Sequence, residues 1–162
     1  MKSIKFSTGL EKICLFAFFE TVLEKVEFPA SLKVVAQGAF ACCKSLKIVT
    51  LNEGLEILGT DEYTKDGGYW YGVFQGTALE SVTLSTTLKR VEYRAFMNCE
   101  RLKSITLQEG LEHIGDNCFS DSGISEILIP KTVKSIGESA LTSLKYIEVE
   151  EGCQVNVIGF VG

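Results

Sequence analysis

Apolar positions recur along this chain in a fixed order. Leu23, Val26, Phe28, Leu32, Val35 and Phe40 reappear as Leu102, Ile105, Leu107, Leu111, Ile114 and Phe119. The template is L-x-x-Φ-x-Φ-x-x-x-Φ-x-x-Φ-x-x-x-x-F, with Φ apolar. It returns from Leu46, from Leu79 and from Ile124, where Leu141 takes the Phe place. A partial unit opens the chain at Ile4, Phe6, Leu10, Ile13 and Phe18, and another closes it at Leu144, Ile147 and Val149. Unit starts at 23, 46, 79, 102, 124 and 144 are separated by 23, 33, 23, 22 and 20 residues. A period of this size is the signature of a solenoid, whose single coils cannot bury their apolar rows alone and must stack. The expectation is a mostly β repeat of about seven coils forming one domain over 1–162. It has partial terminal coils at 1–22 and 144–162, and one coil lengthened by a loop insertion at about 59–73.

Within each unit the Φ-x-Φ step has period two and β-branched character, as in Val82-Thr83-Leu84 and Ile105-Thr106-Leu107, which predicts a short strand with one face inward. The following Φ-x-x-Φ step is expected to carry the chain around a second corner. Gly59, Gly115 and Gly137 recur there at one equivalent position, as if to permit positive φ. Gly9, Gly54 and Gly110 form another column. Pro29 and Pro130 each follow the strand directly, where a missing N–H harms the ladder least. Phe18, Phe40, Phe74, Phe96 and Phe119 should stack on one side of a continuous apolar pillar. After the inward Leu or Val come Glu11, Lys33, Glu56, Lys89, Glu112 and Lys134, a strict alternation of sign. Opposite charges at strand spacing attract, so this column fits stacking and would register the coils.

Composition sharpens the picture by exclusion. The chain has 162 residues, 46% of them hydrophobic and 23% charged, enough apolar content to form a core and too little charge for disorder. A net charge of −5 repels phosphate and offers no footprint for nucleic acid. One His, His113, is expected on an outward corner beside Glu112, where it gives no Ser/His/Asp or Cys/His arrangement; no enzyme is expected. Six Cys without a C-x-x-C pair supply no zinc ligand set, and they are expected as free thiols, with only Cys42 exposed. Asp61, Glu62 and Asp66 lack the spacing of a calcium loop, so neither cofactor nor metal is expected. The longest apolar run, residues 13–19, falls short of the roughly 20 residues a spanning helix needs. Lys2 and Lys5 before that run imitate a secretory leader, but Glu11, Lys12 and Glu20 border it and no small-x-small cleavage site follows.

The pattern L-x-x-I-x-L-x-x-x-L-x-x-I-G-x-x-x-F-x-x-C resembles the BspA-type leucine-rich repeat across almost the entire chain. Cys43 and Cys99 hold the Cys place of that motif, with Thr77 and Ser122 in other coils, and these cysteines are expected to be structural. At two coils apart they should lie about 10 Å from each other, beyond disulfide reach. The resemblance implies a right-handed solenoid with a sheet on one face, at the cell surface or secreted, engaged in adhesion to host or microbial proteins. No catalytic residues define the family. The chain itself leaves a cytoplasmic location open.

Two surfaces are candidates for a partner. The insertion holds the only Trp and three of the five Tyr. Tyr63, Tyr69, Trp70 and Tyr71 are therefore candidate partner-binding residues, since such side chains bury much area with few rotors; the alternative is that they fold back over the corner of the coil. The outward side of the strands, with Ser81, Thr83, Ser104 and Thr106 at its middle, is the second surface. The leading expectation is a non-enzymatic module binding a protein, with a glycan as second choice. The alternative is a purely structural repeat spacer within a larger surface protein.

Overall fold

A computed structural model describes residues 2–59 and 71–157. Each coil is wound around one apolar column and contributes hydrogen bonds to its neighbours on three sides. The first side is a seven-stranded parallel sheet of two-residue strands: β1 (Lys12–Ile13), β3 (Val34–Val35), β5 (Ile57–Leu58), β7 (Arg90–Val91), β9 (His113–Ile114), β11 (Ser135–Ile136) and β13 (Asn156–Val157). Its register aligns Ile13, Val35, Leu58, Val91, Ile114 and Ile136 in one buried row. The Φ-x-x-Φ step expected to be a corner thus forms the most continuous sheet of the molecule. Two residues suffice for a strand here because each rung is held from above and below.

The second side carries the expected Φ-x-Φ strands, with outward, buried, outward alternation. They pair only two by two: β2 (Lys25–Glu27) with β4 (Ile48–Thr50), β6 (Ser81–Thr83) with β8 (Ser104–Thr106), and β10 (Glu126–Ile129) with β12 (Tyr146–Val149). The pairs part between the third and fourth coils, and again between the fifth and sixth. Val49, Leu51, Ile105 and Leu107, inward residues of odd coils beside the partings, keep 8–9% exposure. Their equivalents in even coils, Val26, Phe28, Val82, Leu84, Ile127 and Ile129, keep 0–4%.

A column of alternating chemistry accompanies the partings. Just before each inward Leu or Val stand Ser31, Thr87 and Thr132 in even coils, and Gly54 and Gly110 in odd ones. Gly54 and Gly110 have φ of 111° and 102°, which side chains resist. Their N–H groups donate to Thr87 Oγ1 at 2.9 Å and Thr132 Oγ1 at 3.0 Å. Each hydroxyl in turn donates to the Leu55 or Leu111 carbonyl at 2.9 Å. A side chain therefore replaces the backbone partner at each parting, and the repeating unit on this side is a pair of coils.

The third side is a ribbon of turns around the Phe column. N–H groups of alternate residues donate to the next coil, as from Phe18 to Ala39 (2.8 Å), Phe74 to Ala95 (2.8 Å) and Phe96 to Cys118 (2.9 Å). Two residues before and two after the Phe the chain enters positive φ, at Phe16, Arg94, Asn117 and Ser139 on one flank and Glu20, Cys42, Asn98 and Asp121 on the other. Inside, Phe18, Phe40, Phe74, Phe96 and Phe119 stack with centroids 5.1–5.8 Å apart and planes within 22°, as the spacing predicts.

Three further sequence expectations change. Of Gly59, Gly115 and Gly137 only Gly59 has positive φ; the other two are required by close approach. A Cβ on Gly115 would lie 2.6 Å from the Glu92 carbonyl carbon and the Tyr93 nitrogen, and one on Gly137 would lie 2.4 Å from the Asp116 nitrogen. Cys14, not Cys42, is the exposed thiol, while Cys42 and Cys153 are half-buried. His113 lies on a strand of the seven-stranded sheet and is half-buried.

All six cysteines are free. Cys43 and Cys99 donate Sγ–H to the preceding Phe carbonyls, Phe18 at 3.0 Å and Phe74 at 3.1 Å, which makes them structural. Burial pushes the thiols of Cys43, Cys99 and Cys118 up, so they stay protonated at neutral pH. Ser122 holds the equivalent place with a buried hydroxyl that finds no partner; the shorter serine does not span the gap that cysteine does. The charge column pairs as expected at Lys33–Glu56 (3.7 Å) and Glu112–Lys134 (2.6 Å).

Candidate functional site

Three surface features depart from the repeat. The first lies where the insertion rejoins the stack. Tyr71 is half-buried, with its ring 5.1 Å from Phe19 and 6.4 Å from Phe16, and Phe16 and Phe19 are 5.7 Å apart. All three contacts are edge-on, at 69–82°, the geometry that opposes a ring edge to a π face. Phe16 remains 41% exposed. It lies over Gly38, whose hypothetical Cβ would sit 2.4 Å from the ring, so only glycine lets the ring down onto the second coil. Glycine also marks both ends of the insertion. A Cβ on Gly59 would reach Glu92 Cβ at 2.8 Å, and one on Gly72 would overlap the Arg94 carbonyl. Of the four residues singled out by sequence, Tyr71 therefore belongs to an aromatic cluster, while Tyr63, Tyr69 and Trp70 lie outside the described residues. The signal for Phe16 and Phe19 was present in the first coil, where apolar side chains flank the inward Phe18 in places that other coils give to Gly38, Ala41, Asn117 or Ser120.

The second feature is a polar cluster on the outward face of the seven-stranded sheet. Glu92 occupies the column where other coils carry Ala36, Gly59, Gly115 and Gly137, and it is 5% exposed. The Arg90 guanidinium pairs with it, His113 Nε2 lies 3.6 Å from Glu92 Oε2, and His113 Nδ1 is 2.7 Å from Ser135 Oγ. A buried carboxylate demands such partners. A hydroxyl, an imidazole and a carboxylate thus do come together, contrary to the sequence reading. The register explains it, since Arg90, His113 and Ser135 are successive rungs of one row. The Ser135 N–H is spent on the Glu112 carbonyl at 3.3 Å and is not free to stabilise an oxyanion at that hydroxyl. The cluster satisfies the Glu92 charge within the ladder.

The third feature is a pair of clefts where the Φ-x-Φ strands part. One, of about 590 Å³, lies between β4 and β6 and is lined by Lys47, Ile48, Glu53, Glu80 and Thr83 among others. The other, of about 330 Å³, lies between β8 and β10, with Lys103, Glu126, Leu128, Tyr146 and Glu148 on its walls. Ile48, Leu128 and Tyr146 are 53%, 46% and 59% exposed, the larger apolar side chains of an outward face that otherwise carries Lys25, Ser, Thr and Glu. Among the described residues there is no cluster of three or more metal-ligating side chains, and no helix long and apolar enough to cross a membrane.

Stacked coils of this period, sealed by an inward Leu, Ile and Phe column and varied only on their outer faces, define a leucine-rich-repeat solenoid. The model of the BspA type leucine rich repeat region matches residues 1–65 and 71–159 in six copies, and the chain belongs to that family. Solved structures share the fold. A leucine-rich repeat protein from Bacteroides ovatus superposes with a TM-score of 0.72 at 21% identity, covering 98% of this chain and 51% of that one. The pneumococcal vaccine antigen PcpA gives 0.76 at 22%, covering 94% and 41%. The Treponema pallidum leucine rich repeat protein gives 0.51 at 22%, covering 93% and 63%. This chain therefore spans about 40–60% of the length of those structures. No curated protein matches the chain.

Proposed function

We propose that the chain is a protein-interaction module whose contact site is centred on the 59–73 insertion and the aromatic cluster at its base. The carrying observation is the cluster of Phe16, Phe19 and Tyr71. A solenoid buries its aromatic rings in the pillar, and here three rings stand outside it, interlocked, with Phe16 open to solvent. Exposed, rigid aromatic area is the material of interface hot spots. Tyr63, Tyr69 and Trp70 belong to the same site by sequence position. Membership of a family that resembles surface adhesins supports a place at the cell surface, with host or microbial surface proteins as partners.

The test is binding to an array of purified surface and matrix proteins and glycans by the wild type, by a chain with residues 61–71 replaced by Gly and Ser, and by Phe16→Ser. A partner captured by the wild type and lost by both variants supports the reading; undiminished capture removes the insertion from it. A second reading, a spacer within a longer surface protein, is favoured by the fraction of the structural neighbours that this chain covers. It predicts that the wild type captures nothing and that a larger parent protein surrounds this segment. Proteolytic shaving of intact cells tests the location: release of the chain's peptides supports surface display, and full protection overturns it.

A further inference from the structure

We infer that copies of this chain stack head to tail, the first coil of one copy seating on the seventh coil of the next. The inference concerns the two end faces of the solenoid and stands without the insertion site. Among the described residues, the apolar side chains that pack on the pillar yet stay only partly buried all belong to these two coils, as with Ile4, Phe6 and Leu10 of the first and Ile147 and Cys153 of the seventh. Val149 is 47% exposed, where its equivalents Leu107 and Ile129 keep 9% and 0%. Backbone is open there too: β1 and β13 are the outer strands of the seven-stranded sheet, and β12 pairs only with β10. Unpaired strand edges are templates for a further strand.

Turn hydrogen bonds fix which residues of the two faces correspond. The same bond recurs from Leu10 N–H to the Ser7 carbonyl at 3.2 Å, Leu88 to Ser85 at 3.2 Å, Leu111 to Gln108 at 3.2 Å, Val133 to Pro130 at 3.1 Å and Cys153 to Glu150 at 3.1 Å. Two places before each donor stand Thr8, Thr86, Glu109, Lys131 and Glu151, with Glu53 two places before Leu55. Within the solenoid a glutamate in this column is met by a donor from the next coil. Thr86 gives Glu53 its N–H at 3.1 Å and its hydroxyl at 2.7 Å, and Lys131 Nζ lies 3.9 Å from Glu109. Glu151 of the seventh coil is exposed, and Thr8, exposed on the first coil, is the donor that a stacked copy brings to it.

Charge selects a second copy, and its direction. Ser3 aligns with Lys25, and Leu128 with Glu148, so Lys5 and Glu148 occupy one outward column. Both are exposed, and among the described residues neither joins an ion pair. Stacking sets the Lys5 ammonium over the Glu148 carboxylate, an attraction of the kind that joins Lys33 to Glu56. The faces agree as wholes: residues 2–13 hold three lysines and one glutamate, residues 144–157 three glutamates and one lysine. Seventh coil on seventh coil would oppose Glu148, Glu150 and Glu151 to their own copies, so the contact is head to tail and does not close on itself. Two places fit less well than an internal junction. Gly9 stands where Thr87 and Thr132 supply a hydroxyl to Gly54 and Gly110, and Lys145 meets Lys2, which Glu24 already holds at 3.1 Å. The junction is therefore weaker than the joints inside one copy, and the copies exchange.

The experiment is sedimentation velocity on the full chain, from micromolar to millimolar concentration. Expected is a mean mass that climbs with concentration past that of a dimer and falls with added salt. Lys5→Glu and Glu148→Lys should each weaken association at least about tenfold, with unchanged circular dichroism. An equimolar mixture of the two variants should restore it, because every junction between unlike variants again joins a lysine to a glutamate. A monomer at all concentrations would overturn the inference, as would a dimer that grows no further, indifference to both charge reversals, or a mixture that stays as weak as its parts. Replacing residues 61–71 should leave the association intact, which separates its outcome from that of the insertion site; loss of association in that variant would place the contact at the insertion and overturn the stacking.

Discussion

Two sides of the same solenoid, made by the same coils, are built to different rules. On the ladder side, seven two-residue strands run without a break, and Gly115 and Gly137 let backbone touch backbone between rungs. On the strand side the strands are longer and have the stronger β character, yet they part at every second coil. The difference shows that strand continuity here is set by what lies between coils, and not by the propensity of the strand residues. Where small residues bring backbones together the ladder closes. Where a Gly at positive φ points its N–H at a Thr hydroxyl, the ladder opens and a cleft results.

The largest test removes what both sides share. Phe96→Ala takes out a ring stacked between Phe74 and Phe119 and fully buried; large-to-small changes of this kind cost about 3–5 kcal/mol. Denaturation followed by circular dichroism and by tyrosine fluorescence should shift together, because each coil is held by its neighbours. Transitions that separate would mean that the two sides unfold independently of the pillar.

A smaller perturbation discriminates between the sides. Gly115→Ala places a methyl group against the Glu92 and Tyr93 backbone and should cost about 1–3 kcal/mol, as overpacking does. Amide exchange should quicken at Gly115 and Glu92, whose N–H groups bond to Val91 and Leu58, while Thr106 on the strand side keeps its protection. Thr132→Val acts on the other side by removing the acceptor of the Gly110 N–H and the donor to the Leu111 carbonyl. Its cost should be about 1–2 kcal/mol, the range for stranding partly buried backbone groups, with faster exchange at Gly110 and no change at Gly115. If both substitutions quickened the same amides, the sides would not be mechanically distinct.

Much of the apolar pillar was legible in advance, though not the ladder beside it, and the reason is arithmetic. A period near 23 residues with fixed Φ offsets can be satisfied only by stacking, so the Phe column and the buried row through Val35, Leu58 and Ile114 follow from spacing alone. The alternation of Glu11, Lys33, Glu56, Lys89, Glu112 and Lys134 even carried the two-coil unit. What escaped was how two coils differ in backbone geometry. Positive φ at Asn117 or Asp121, and the exchange of a carbonyl for the Thr87 hydroxyl, are cooperative properties of neighbouring coils that no single repeat displays. The polar cluster escaped for a related reason: Arg90, His113 and Ser135 lie 23 and 22 residues apart in sequence, and only the register of the ladder makes them neighbours. The insertion was visible as an excess of aromatic residues, but Phe16 and Phe19 joined Tyr71 only once the turns of the first coil were placed.

The weakest expected effect concerns the charge column that runs between the two sides. The Lys134 ammonium donates to Glu112 Oε2 at 2.6 Å. That hydrogen bond first, and the Lys134 charge second, hold the Glu112 carboxyl below the usual carboxylate range against a smaller opposing effect of desolvation. A carboxyl whose pKa is lower folded than unfolded favours the folded state above its unfolded pKa, and that contribution fades as pH falls through the folded value. Lys134→Met should therefore return Glu112 to an ordinary titration, read by the side-chain carboxyl carbon in NMR. The stability difference between wild type and variant should be small but present at pH 7, shrink as pH falls through the carboxylate range, and diminish with added salt, because the pair is exposed. A difference that instead stayed constant on acidification would mean that Lys134 stabilises its coil by packing along the ladder edge, and the alternating column would then serve contact area and not charge registration.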